Sequence, residues 1–376
     1  MTEIETPRPI WVDQPARFSD LLADLQRQVL IAVDTESNSL HAYREQVCLI
    51  QFSTFTHDYL LDPLAGLDLS PLGEMFADPG REKIFHAAEY DVICLRRDFG
   101  FDFQNIFDTM QAARILGREK VGLGDLLEVE FGFHLDKHNQ KADWGQRPLD
   151  PSMQSYACLD THYLIRLRER MAEGLEQARL LPLAQEDFRR VSCSTAAENQ
   201  QPLYQQVSGY HELNPRQLAV LEALSAYRDR RARSANRPHF KILGNAALLA
   251  IARACPRSQP DLQKTAALNP RLMERHATGV LQAVEKGLRA PEIHLPHHQR
   301  PDQRYLNRLD RLKTWRKQTA EKMKVLSDVV LPRDILEGVA GANPQTLPDL
   351  QKIMESVPWR FSHFGVEILT VIKEKS

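Results

Sequence analysis

The chain is 376 residues long, 43% hydrophobic and 26% charged, with a formal net charge of −2. This length exceeds a single compact core and calls for two or three domains. The composition excludes a low-complexity or fibrous chain, and the near-neutral total hides a division: residues 208–376 hold 28 Lys and Arg against 17 Asp and Glu, residues 1–207 hold 20 against 33.

From the N-terminus, MTEIETPRPI lacks the basic region and apolar core of a secretory signal, so a cytoplasmic location is expected. Residues 19–28 have the spacing of a short amphipathic helix. VLIAVDTES (29–37) is an apolar, β-branched strand ending in polar residues, VCLIQFST (47–54) the next, and HDYLLD (57–62) a third. A helix over 71–76, a strand at 83–87 and a helix over 89–97 follow. Strands in series and then α and β in alternation predict a sheet with helices packed on it. Asp108-Thr109 caps a helix reaching Leu116, and Gly124-Asp125 opens another. Pro148 and Pro151 punctuate the loop before a helix over 152–177. The longest apolar runs, such as LLAIA from Leu248, fall short of the roughly 20 residues that cross a bilayer. The five cysteines are scattered, odd in number and free of a CxxC pair, which argues against a disulfide framework or a zinc site.

Beyond residue 208 the chain repeats itself at a constant offset of 88. Leu221 and Leu224 match Leu309 and Leu312, Tyr227-Arg228 matches Trp315-Arg316, Pro256 matches Pro344, and Asp261-Leu262 matches Asp349-Leu350. Each copy has helical periodicity and the size of a small domain. The expected organisation is an α/β domain over 1–207, a first all-α domain over 208–289 and a second over 299–376. Residues 290–301 form the linker, whose His294, His297 and His298 read as solvated rather than metal-binding.

Asp34 and Glu36 end their strand two residues apart and so share a face. Two carboxylates side by side repel unless something offsets their charge, and a hard cation does so; a solvated strand end is the alternative. HAAEYD leads from a short strand into a helix bearing Asp91. YACLD sets Tyr156 and Asp160 one turn apart on a helical face, where a carboxylate can hold a metal while a phenol reaches water beside it.

These segments resemble the three exonuclease motifs of the DEDD superfamily. A tyrosine four residues before the last aspartate marks the tyrosine-bearing branch; the other branch has histidine five residues before it, where Ser155 stands. DWGQRPL (143–149), followed by YACLDTHYL, resembles the signature of ribonuclease D, and QVCLIQFST, FDTMQAARILG and VGLGDLL extend the likeness over the N-terminal domain. The repeated units resemble the helicase-and-ribonuclease-D C-terminal (HRDC) domain, with YRDRRA and RPHFKIL in the first copy; the second departs where it has SDVVL.

The resemblance implies a ribonuclease H-like exonuclease domain with a mixed sheet, then two helical domains. It implies that Asp34, Glu36, Asp91 and Asp160 bind two divalent ions, Mg²⁺ or Mn²⁺, with Tyr156 serving the attacking water. The expected activity is 3′→5′ hydrolysis of RNA to nucleoside 5′-monophosphates. The expected partners are tRNA precursors with a free 3′ end, with no membrane and a monomeric chain. A 3′→5′ DNA exonuclease and a catalytically silent RNA-binding protein are the competing readings. His86 reads as a core or capping histidine and Asp108 as a helix cap. Trp144 is open between packing and stacking on a base, with Asp143 beside it at the rim. Arg228, Arg230, Arg231, Arg233, Arg237 and Lys241 read as phosphate contacts, against the alternative of a solvated helix face. The second copy is basic too, at Arg308, Arg311, Lys313, Arg316 and Lys317.

Overall fold

The computed structural model describes residues 8–135, 138–195, 201–296 and 302–373. Six strands, β1 (Ile10–Val12), β2 (Leu30–Ser37), β3 (Val47–Ser53), β4 (Asp58–Leu61), β5 (Glu82–Phe85) and β6 (Ile106–Asp108), form one mixed sheet. Their order is β1-β4-β3-β2-β5-β6. β3 runs antiparallel to β2 and β4, and the remaining neighbours are parallel. Strand alternation divides the core. Ile31 and Val33 of β2 face a cluster built with Leu21 and Leu25 of α1 (Pro15–Leu25), Phe76 of α2 (Pro71–Ala77) and Leu95 of α3 (Glu89–Phe99). Ala32 faces the opposite cluster. That cluster is made by α4 (Thr109–Ile115), α5 (Leu123–Phe131), α7 (Leu164–Gln177) and α8 (Leu181–Ser192). Helix α6 (Pro151–His162) packs on the same face, over Leu49 and Leu60.

The α/β sandwich and the helical character beyond it match the expectation. Four details differ. The strands β1 and β6 are three residues long, too short for a periodicity to register. Helix α8 has no counterpart in the sequence reading. The strand at 83–87 stops at Phe85, because Ala87 takes a positive φ of 63°. The single helix expected over 152–177 is two, since Tyr163 at φ −96° and ψ −4° leaves the helical path between α6 and α7.

By internal packing the chain falls into two compact units. One gathers the described residues of Met1–Ser37, Val47–Ala196 and Arg300–Ser376; the other gathers those of Asn38–Gln46 and Ala197–Gln299. The second unit holds α9 (Pro215–Ser234), α10 (His239–Ile242), α11 (Asn245–Ala254), α12 (Gln259–Lys264) and α13 (Pro270–Arg289). Gly287 is where α13 crosses α9, and a Cβ there would stand 2.4 Å from the Cα of Val220.

The first unit also holds α14 (Gln303–Met323), α15 (Ser327–Val330), α16 (Arg333–Ala342), α17 (Leu347–Ile353) and α18 (Pro358–Lys373). These five helices follow the 88-residue offset of α9 to α13. Even a buried contact recurs: Arg228 donates to the carbonyl of Leu243 at 3.3 Å, and Arg316 to that of Leu331 at 3.1 Å. This second copy is fastened to α8. Arg360 is fully buried; its Nη1 and Nη2 donate to the two carboxylate oxygens of Asp187 at 2.8 and 2.9 Å, and the side chain also pairs with Glu186. Glu186 in turn accepts the backbone N–H of Trp359 at 2.6 Å. Among the described residues no helix is long and apolar enough to cross a membrane. His297 and His298 of the linker lie outside the described residues; His294 is 3.7 Å from Glu292.

Candidate active site

The site forms where β2 and β5 end. Asp34 and Glu36 are on the β2 face that α6 covers, opposite Gln51 and Leu49 of β3 in the register. A register irregularity after Glu36 lets β2 leave the sheet there. Both carboxylates are half-buried, while Asp91 and Asp160 are buried at 6% and 9% exposure.

Asp91 enters from the first turn of α3, where Thr35 donates to its Oδ1. The approach to that helix is set by Asp108, which receives the N–H groups of Ala87 and Ala88 at 3.1 and 2.9 Å and those of Met110 and Gln111 at 2.9 and 3.1 Å. Asp108 therefore caps α4 and orders the turn into α3. His86 sits beside it with Nδ1 2.9 Å from Thr109 Oγ1, and burial pushes its pKa down to about 4. It is a neutral packing histidine.

Asp160 and Tyr156 come from α6, which begins at an Asp150 cap and is tied to the sheet near its C-terminal end. Ser53 of β3 donates to Asp58 at 2.6 Å, its Oγ lies 2.7 Å from Thr161 Oγ1, and His162 Nδ1 lies 2.8 Å from Asp58. Over the other end of α6 lies the DWGQRPL loop. Arg147 grips both carboxylate oxygens of Asp62 at 2.6 Å and the carbonyls of Cys48 and Trp144. Trp144 is 1% exposed, with its ring centroid 6.1 Å from that of Tyr156. It packs and is not available to a base, and Asp143 accepts the N–H of Gly145 within the same loop.

The electrostatics of the four carboxylates are shared. Burial raises the pKa of Asp34 well above the ordinary value, and the charges of Asp91, Asp160 and Glu36 raise it further. Glu36 is pushed up to about 9, by burial and then by Asp160 and Asp91. Asp160 is raised by burial and by Asp91. Asp91 is raised mainly by burial, with the Thr35 hydrogen bond opposing. These groups are near enough to resist one another's ionisation. Among the described residues no group of three or more His, Cys, Asp or Glu side chains is gathered closely enough to hold a metal ion as it stands.

The donors are all oxygen, buried or half-buried, and short of positive charge. That chemistry fits a hard divalent cation such as Mg²⁺ or Mn²⁺. A second observation agrees. Gln51, across the ladder from Asp34, is fully buried, and neither its amide nitrogen nor its oxygen meets a hydrogen-bond partner. Unpaired buried amides are costly, so this group is ready for a polar guest. Gln51 was missed by sequence reasoning, although strand register alone sets it opposite Asp34. Tyr90, 48% exposed and with its hydroxyl 3.3 Å from Ser37 Oγ, is a second omission.

The basic residues divide. Arg230, Arg231, Arg233, Arg237 and Lys241 are exposed. Arg228 must be removed from the phosphate-binding set. It is 5% exposed and held by the Leu243 carbonyl and by Asn245 Oδ1 at 2.7 Å, because the helical copy uses its guanidinium to close the turn after α10. In the second copy, Arg308, Arg311 and Arg316 likewise donate to the carbonyls of Ala340, Ile372 and Leu331.

With this geometry in place, comparison with known proteins gives a consistent result. Residues 9–176 match the 3′-5′ exonuclease family model, and residues 217–284 and 306–372 each match the HRDC domain. Ribonuclease D of Desulfotalea psychrophila is 30% identical over 333 residues, covering 87% of this chain and 85% of that protein. Protein RRP6-like 1 of Arabidopsis thaliana is 33% identical over 303 residues, 76% of this chain, but this chain spans only 47% of that longer protein. The crystal structure of Escherichia coli RNase D matches with a TM-score of 0.73 over 97% of this chain and 99% of that one; at 24% identity this speaks for the fold. The chain belongs to the ribonuclease D family, with an exonuclease domain followed by two HRDC domains.

Proposed function

We propose that the protein is a metal-dependent 3′→5′ exoribonuclease acting in tRNA 3′-end maturation in the cytoplasm, as a monomer built of an exonuclease domain over 1–207 and helical domains over 208–289 and 299–376. The observation that supports this most is the mutual electrostatic coupling of Asp34, Glu36, Asp91 and Asp160, drawn from three separate elements. Two divalent ions held by these four carboxylates would supply charge neutralisation and Lewis acidity at the scissile phosphate.

The chain's own groups do the rest. Asp91 and Asp160, buried and anchored through Thr35 and through the ties on α6, hold their positions without reorganisation on binding. Tyr156, one turn before Asp160 and backed by Trp144, orients the attacking water. In the reaction the water oxygen bonds to phosphorus and the P–O3′ bond breaks. The departing 3′-oxygen takes up a proton, and a nucleoside 5′-monophosphate leaves. The exposed Arg230, Arg231, Arg233, Arg237 and Lys241 hold the sugar-phosphate backbone.

The test is incubation of matched 3′-end-labelled RNA and DNA with Mg²⁺ or Mn²⁺ and analysis of the products. The expected result is stepwise release of mononucleotides from RNA, abolished by EDTA. Undiminished release in excess EDTA would contradict the carboxylate site, and release from DNA alone would overturn the RNA assignment.

A further inference from the structure

The two helical copies share a frame but differ in what one turn faces. In the second copy, the turn holding α15 is an interface. Val329 is 4% exposed within the exonuclease core cluster, its carbonyl accepts Arg360 Nη2 at 2.8 Å, and Asp328 pairs with Arg114. The carbonyl of Lys324 lies over Gly117, where a Cβ would come within 2.4 Å of it. In the first copy the matching positions carry Phe240 for Asp328, Lys241 for Val329 and Arg237 for Val325. There the turn is open: Phe240 is 56% exposed, and Arg237 and Lys241 are exposed beside it in sequence.

The turn itself is firmly held. His239 Nε2 lies 3.0 Å from Asp229, whose carboxylate also receives the Tyr43 hydroxyl at 2.7 Å, and the Tyr43 ring meets His239 edge-on at 5.6 Å. Lys241 Nζ is 3.4 Å from His41 Nδ1. A phenylalanine left mostly in water on a fixed turn forgoes the stabilisation of apolar burial, which a ligand can recover. The charge decides which ligand. A protein covering this turn would have to desolvate the exposed Arg237 and Lys241, whereas a nucleic acid pairs them with its phosphates. An exposed aromatic ring on a turn that also carries exposed cations offers a face to a base and charges to the backbone, and a base is free to stack there only when it is unpaired.

We propose that Phe240, on the turn that also carries the exposed Arg237 and Lys241, is a stacking platform for an unpaired base, so that the first helical copy selects single-stranded over duplex RNA. This rests on the reading of the chain as acting on RNA. The test uses the full chain carrying Asp160→Asn to suppress hydrolysis, with and without Phe240→Ala. A single-stranded RNA containing 2-aminopurine and a blunt RNA duplex of equal length are bound to each.

The expected result is about a tenfold loss of single-strand affinity on Phe240→Ala, with loss of the 2-aminopurine quench, unchanged duplex affinity, and recovery in Phe240→Trp. Unchanged single-strand affinity, an equal loss for the duplex, or full affinity in Phe240→Leu would each overturn the platform. Mononucleotide release by the unmodified protein is measured alongside. Its absence with a Phe240 effect intact would sink the exonuclease reading alone, and its presence without that effect would sink the platform alone.

Discussion

Asp91 is buried among like charges and held by the Thr35 hydroxyl and by backbone N–H groups. Replacing it with asparagine should therefore separate stability from activity. In EDTA near about pH 8, Asp91→Asn should stabilise the fold by on the order of 1 kcal/mol, read from denaturant midpoints, while cutting RNA hydrolysis by roughly 10³-fold or more. Glu36 gives the sign of the pH dependence. Its carboxyl favours the fold only while protonated, so its contribution is complete below an ordinary value of about 4.5 and disappears as the pH rises through about 9. The thermal midpoint in EDTA should fall across that window, and saturating Mg²⁺ should flatten the fall. A midpoint that rises with pH in EDTA would refute the coupling. At this scale spacing made legible the strand face shared by Asp34 and Glu36 and the helical turn shared by Tyr156 and Asp160, while their grouping into one candidate centre came from the family resemblance. Arg228 and Gln51 were not legible: whether an arginine is spent on a carbonyl, or a glutamine buried unpaired, depends on partners 15 to 17 residues away in one case and on a neighbouring strand in the other.

Among elements, α18 has the sharpest energetic consequence. Its Arg360 is fully buried against Glu186 and Asp187 of α8, and α8 packs against the cluster that contains β6 and α4. Arg360→Met leaves two carboxylates facing an apolar contact, and should destabilise the first unit by about 3–5 kcal/mol in denaturant unfolding. Adding Glu186→Leu and Asp187→Leu should restore much of that loss; a triple variant no more stable than the single one would show that the ion pairs are not what binds α18. The helices and longer strands were legible from periodicity. The strands β1 and β6 were not, since three residues carry no period, and the break at Tyr163 follows from backbone geometry that no breaker residue announces.

In the whole molecule, the acidic N-terminal and basic C-terminal portions predict a salt-dependent grip on RNA, but not an equal share for the two copies. Arg231→Gln with Arg237→Gln should reduce the slope of log affinity against log salt by roughly 0.7 for each phosphate that is no longer neutralised. Lys313→Gln with Lys317→Gln should leave the slope unchanged although both lysines are exposed, because the proposed phosphate contacts lie on the first copy. Equal effects from both pairs would contradict that division. The repeat was legible in full, down to the offset. Which copy packs where was not, because the same frame buries Val329 and exposes its counterpart Lys241, and the side chains of the two copies differ at most positions.

The contact between α8 and α18 joins residues more than 170 positions apart. A ribosome delivers α8 long before Arg360 exists, so during synthesis the nascent exonuclease core waits with Glu186 and Asp187 unpaired. An mRNA truncated ahead of the codon for Arg360 would yield a polypeptide bearing every carboxylate of the candidate centre, yet lacking the fastening on its flank.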